Sequence, residues 1–229
     1  QQGFGFQQPG FNNNRKRQPQ QQNANAQGLA NNQGGAFNQQ AGANTHTNQN
    51  GFNLDNGASS IGSNLAQDGS SGQVSSANVA QMNNQNQFGF TNTNDAQSQS
   101  LNFDPNQQQA SSSNAGTLHT KDQNSERLQS TGGAQSSNNN QFGTSSNIAN
   151  TNSEIFNNGG VQGSKADSSS QSLFQGANGQ NNAALTNSNV SSMRGPNGQV
   201  TNSASSNASA TSQGGGNAVA NASSSSGAG

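Results

Sequence analysis

The chain has no cysteine, no tryptophan and no tyrosine, and only four prolines in 229 residues. Without cysteine there are no disulfides, no thiol nucleophile and no cysteine-ligated metal, and redox chemistry gives no guide to compartment. Charge is scarce as well. Seven Lys and Arg against eight Asp and Glu leave a net charge of −1, so little electrostatic repulsion opposes self-association. Large apolar residues are the third shortage. Leu, Ile, Val and Phe together fill 28 positions, about 12 % of the chain, too few to offset the conformational entropy of an ordinary monomeric core.

Amides, hydroxyls and glycine take the place of that missing material: Asn, Gln, Ser and Gly together make up well over half of the chain. Such side chains are well served when strands stack and Asn and Gln form ladders along a fibre axis. Asn, Ser and Gly are weak helix formers, and apolar residues almost never recur at helical spacing. Lys121 to Leu128, with Asp122, Glu126 and Arg127, has modest helical character but is too short to stand alone. The expected fold is therefore all-β in an assembly, as cross-β or β-solenoid-like stacking of short strands, with the isolated monomer largely disordered. Short strands are expected around Gln73–Ala80, Asn147–Phe156 and Gln199–Thr201. The pairs Asn50-Gly51, Asn56-Gly57, Asn158-Gly159, Asn178-Gly179 and Asn197-Gly198 supply turns between strands.

Composition drifts without a break of the kind that separates domains. Residues 1–35 form a Gln/Phe/Gly-rich flexible arm carrying Phe4, Phe6 and Phe11. Residues 36–200 form a low-complexity body, and 201–229 a Ser/Ala/Gly-rich tail. A faint repeat runs through the body. The spacing from Phe37 to Phe52 is 15, from Phe88 to Phe103 again 15, and from Phe142 to Phe156 it is 14. The first members of these pairs are offset along the chain by 51 and then by 54. Leu65, Leu118 and Leu173 follow each pair. These nine residues are the candidate assembly core, one bulky anchor per coil of a stacked structure.

No constellation for catalysis emerges. His46 and His119 stand far apart, each without a second ligand at metal-binding spacing. The carboxylates are isolated except for Asp122 with Glu126, which leaves no acid–base pair. Gly214-Gly215-Gly216 lacks the lysine of a phosphate loop. The reading excludes an enzyme and calls for no cofactor or metal. Arg15, Lys16 and Arg17 are the one cationic cluster, a candidate cleavage site but too small a footprint for nucleic acid. No apolar run is long enough for a membrane helix. The Gln1-Gln2-Gly3 start, without Met, reads as a processed terminus and leads to an expectation of secretion. On a secretory route Asn189, Asn207 and Asn221 are candidate N-glycosylation sites.

Phe-Gly and Phe-Asn dipeptides in Gln/Asn/Ser/Gly spacers, with a Ser-Ala-Gly tail, resemble the low-complexity structural proteins of insect silk, cuticle and eggshell. Gln213-Gly-Gly-Gly-Asn217-Ala218 is similar to one repeat of curli-type amyloid subunits, and Phe4-Gly5, Phe88-Gly89 and Phe142-Gly143 resemble Phe-Gly nucleoporins. The first resemblance implies a secreted structural protein that self-assembles into an extracellular fibre or matrix. Its partners would be further copies of itself and other matrix proteins, with no nucleic acid and no membrane. The alternative is an intracellular prion-like or Phe-Gly segment that forms condensates or a nuclear-pore-type mesh.

Overall fold

The computed structural model describes residues 20–31, 37–66, 68–214 and 225–228, with side chains over 40–66 and 68–214. Among these residues there is no helix. Twelve strands run in order: β1 (Gln20–Asn31), β2 (Phe37–Asn50), β3 (Asn53–Ala66), β4 (Gly72–Asn86), β5 (Gly89–Asp104), β6 (Gln107–Lys121), β7 (Ser125–Asn140), β8 (Gly143–Asn158), β9 (Val161–Gly176), β10 (Asn181–Arg194), β11 (Val200–Gln213) and β12 (Ser225–Ala228). Each pairs antiparallel with the next, giving one open sheet in which sequence order equals spatial order. The all-β expectation is met. The expected strand length is not, because β2 to β11 each span 14 to 16 residues rather than a few. The expected stacking of copies is not what forms the sheet: a single chain supplies every strand.

Long strands form from weak β formers because every interior strand is paired on both sides, so the backbone ladder rather than side-chain preference fixes the extended state. Nothing inside the strands interrupts that ladder. Pro105 and Pro196 both lie in turns, where a missing N–H costs no ladder bond. The Asn-Gly pairs at 50, 158, 178 and 197 do sit at turns, with glycine φ angles of +63°, +57°, +83° and +81°. Asn56-Gly57 does not. Gly57 lies inside β3 opposite His46, whose ring occupies the space a Cβ would take, so this glycine serves close side-chain approach instead of a turn.

The turns reveal a regularity that the phenylalanines only hint at. Asn50, Asp68, Asn86, Asp104, Asp122, Asn140 and Asn158 recur at a constant spacing of 18, each at or just beyond the end of a strand. Five of them cap their turn with a side-chain oxygen. The amide N–H groups of Ser70, Phe88, Asn106, Asn124 and Phe142 donate to Asp68, Asn86, Asp104, Asp122 and Asn140 at 2.8–3.0 Å. Asn50 and Asn158 precede left-handed glycines. Register follows the same period: paired positions sum to 175, 211, 247, 283 and 319 from β4 through β9, a constant step of 36. The phenylalanine offset of 54 is three such periods.

The sheet has one layer and no core. Among the described residues the sole buried hydrophobic is Ala66, at 9 % exposure, and no large side chain is fully buried. Accessible surface is 16730 Å², against about 9,700 Å² for a compact chain of this mass.

Candidate assembly surfaces

The nine anchor candidates are not gathered into an interior. Phe52, Phe88 and Phe142 lie in turns and are 74 %, 59 % and 71 % exposed. Alternating strand direction puts Phe52 and Phe88 at one end of the sheet and Phe142 at the other. Leu65, Phe103, Leu118, Phe156 and Leu173 do share one face, each as a half-exposed strand residue. Leu65 and Phe103 crowd over Gly72 from either side, where an added Cβ would clash with both. Phe156 covers Gly163 in the same way, its Cζ and Cε1 atoms occupying the space an added Cβ would take. Phe37 opens β2, and its side chain lies outside the described residues. The spacing of 14 or 15 within each pair is thus one strand length, with a phenylalanine near each end.

Arg15, Lys16, Arg17 and Asn221 also lie outside the described residues. Asn189 and Asn207 are exposed strand residues of β10 and β11, and the Asn189 amide donates to the Asp167 carboxylate. The body-to-tail boundary expected at 200 falls at the first residue of β11, and β1 lies inside the expected arm.

Following partners from strand to strand assigns every side chain to a face. One face carries a central row of Asn44, Ser59, Asn78, Gln97, Asn114, Gly133, Asn150, Ser169, Asn187 and Asn207. Asn114 and Asn150 lean over Gly133, the Asn150 oxygen 3.2 Å from where its Cβ would be. This amide face also bears His46, Asp55, Asp95, Arg127, Glu154, Lys165 and Asp167. Arg127 Nε donates to Glu154 Oε1 at 2.8 Å, and His46 Nε2 lies 3.6 Å from Asp55.

The opposite face is built from small residues. Its central row reads Ala43, Ser60, Ala77, Ser98, Ser113, Ala134, Ala149, Ser170, Thr186 and Ala208. Hydroxyls pair across neighbouring strands there: Ser98 with Ser113, Ser100 with Ser111, Ser130 with Ser153, Ser168 with Ser188, and Ser170 with Thr186, all at 2.6–2.7 Å. Such pairs contribute roughly 0.2–1 kcal/mol each. A shallow trough of about 470 Å³ on this Ala/Ser face is lined by Ser98, Ser113, Ala134, Ala149, Ser170 and Thr186. It contains no charge.

Three titratable groups on the Ala/Ser face gather at the end of β6 and the start of β7. His119 Nε2 lies 2.9 Å and Lys121 Nζ 3.2 Å from the two Glu126 oxygens, and the Phe90 ring meets His119 edge-on at 4.8 Å. The His119 hydrogen bond foremost, then Lys121, holds the Glu126 carboxyl below its ordinary range. Asp122, at the same turn, is lowered by the Ser125 hydroxyl and then by the Asn124 and Ser125 amides. Ser164 occupies the His119 row three strands away, about 14 Å at ordinary strand spacing, so these two do not form a nucleophile–base pair. Among the described residues no group of three or more His, Asp or Glu is placed to hold a metal ion.

These depressed carboxylates fix a pH response. Their contribution is fully present above the unfolded-state carboxylate range and is lost as pH falls through the lower folded values. Amide exchange at Asn124, Ser125 and Glu126, corrected for intrinsic rate, should rise between about pH 6 and pH 2.5, ahead of the β8–β9 turn. Asp122→Asn with Glu126→Gln should flatten that difference. An acid-insensitive β6–β7 turn would contradict the assignment.

Comparison with protein-family models, with curated proteins and with solved structures finds no match to this chain.

Proposed function

We propose that this chain is a secreted structural protein that self-assembles into an extracellular fibre or matrix, without enzymatic activity. The supporting observation is a single-layer sheet, twelve strands wide, with both faces open and almost nothing buried. A sheet of this kind reaches ordinary packing only when another layer covers it. Low charge leaves that approach unopposed, and among the described residues no group of three or more His, Asp or Glu is placed to hold a metal ion. Lacking Cys and Tyr, the assembly is held by backbone ladders, cross-strand hydroxyl and amide contacts and apolar burial, not by disulfide or dityrosine links.

Fractionation of source tissue tests this reading. The protein should be recovered from insoluble extracellular material that withstands reductant and dissolves in formic acid or concentrated chaotrope. Recovery from nuclei or cytoplasmic condensates would overturn it in favour of the intracellular low-complexity alternative.

A further inference from the structure

The two faces differ in a way that selects how layers meet. On the Ala/Ser face the central row is flanked by Thr45, Ala58, Val79, Ala96, Ala115, Gly132, Thr151, Ser168, Ser188 and Ser206 on one side. On the other side stand Ala41, Gly62, Ser75, Ser100, Ser111, Ser136, Asn147, Ser172, Ala184 and Ala210. Three rows across the ten strands β2 to β11 make thirty positions. None is charged, and only Val79 and Asn147 are larger than Thr. The charges on this face, Asp104, His119, Lys121, Glu126 and Arg194, all lie at or near strand ends, beyond the three rows.

We propose that the Ala/Ser face packs against the same face of a second copy of this chain, leaving the amide face outward. The proposal rests on the assembly reading above and names its contact surface. Strands about 4.8 Å apart with a two-residue repeat of about 6.8 Å give each position roughly 33 Å². Thirty positions cover about 1,000 Å² per copy, or about 2,000 Å² for both, the upper end of a standard stable interface. Each cross-strand hydroxyl pair already holds one hydrogen bond, so covering it costs less than covering two unpaired hydroxyls. Val79 and Val190, 52 % and 53 % exposed, and the paired Leu128 and Ile155, 44 % and 59 % exposed, add apolar area that only a second layer removes from water.

A neutral surface of this kind offers nothing to a charged partner, whereas it is complementary to itself. The amide face is a poor alternative. Stacked on itself it would bury Asp95 and Asp167, which share one row with His46, together with the Arg127–Glu154 pair, at a desolvation cost that close packing of uneven side chains would not repay.

Sequence neighbours on opposite faces give the test. Ala96→Lys with Ala134→Lys places two charges on the Ala/Ser face. Gln97→Lys with Gln135→Lys places the same two charges on the same strands but on the amide face. With the full chain followed by light scattering and sedimentation, the first variant should assemble at least tenfold more slowly, and the second within about twofold of the unmodified chain. Because the chain has no cysteine, Ala134→Cys and Gln135→Cys provide a second measurement that adds no charge. A short thiol cross-linker should join assembled copies of Ala134→Cys and leave Gln135→Cys mostly monomeric. Equal slowing by both lysine pairs, or cross-linking through Gln135→Cys alone, overturns the face assignment while leaving assembly itself intact. An unmodified chain that never assembles overturns the functional reading and this inference with it.

Discussion

Gly143→Val should open the β8–β9 end of the sheet, whereas Phe142→Ser, one residue away, should leave the fold of the chain nearly unchanged. Gly143 has φ +144°, and an added Cβ would run into the Gln175 carbonyl oxygen, with the Gly176 Cα at 2.8 Å and the Gln175 carbonyl carbon at 3.1 Å. These are backbone atoms of the paired strand, since Gly143 faces Gly176. Relief requires separating the ladder. Backbone strain of this class costs on the order of 1–3 kcal/mol, with the clash in addition. Phe142 has its backbone N–H held by Asn140 while its ring is 71 % exposed, so trimming the ring removes little burial. Gly89 repeats the arrangement in the same Asn-Gln-Phe-Gly setting, where a Cβ would meet the Lys121 carbonyl and lie 2.9 Å from the Asp122 Cα. Hydrogen exchange over Gly143–Ser146 and Leu173–Gly176 reads the result. Equal loss of protection in Gly143→Val and Phe142→Ser would show that the aromatic ring, not the glycine, sets this corner.

The contrast between those two substitutions also marks what the sequence discloses. Extended structure is legible from the weak helix propensity of Asn, Ser and Gly, and four of the five Asn-Gly pairs are turns for the stated reason. Gly57 departs from that rule because the His46 ring opposite needs its space. The phenylalanine spacing is a true trace of the architecture read at the wrong scale. An offset of 54 looks like one large unit but is three strands with their turns, and the offset of 51 arises because Phe37 opens a strand while Phe88 precedes one.

The underlying period is written in turn-ending Asn and Asp. Among so many asparagines such positions stand out only when acidic and amide residues are counted together, as Asp68, Asp104 and Asp122 are interspersed with Asn50, Asn86, Asn140 and Asn158. Strand length is hidden for a related reason. Alternation of apolar and polar residues, the usual strand signal, is missing because neither face is a hydrophobic core. Ser and Asn occur on both faces, so the division into an Ala/Ser face and an amide face appears only once the register is known.

The second large effect is loss of order on dilution. Each strand of β2 to β10 is paired along both sides and β11 meets β12 over Thr201–Ala204, yet among the described residues the sheet buries Ala66 and little else of its hydrophobic content. Hydrogen bonds alone contribute little net stability, because the unfolded chain bonds equally to water. Ordering a residue costs about 1–2 kcal/mol. A one-layer sheet of this composition therefore depends on covering its faces, and its folded population follows protein concentration by mass action. Sedimentation velocity and far-ultraviolet circular dichroism on one dilution series of the full chain test this most directly. We expect the β signal and the assembled fraction to fall together as the protein is diluted, with the 23.2 kDa species lacking stable β structure. A monodisperse 23.2 kDa monomer that keeps its full β signal at every concentration would contradict the account.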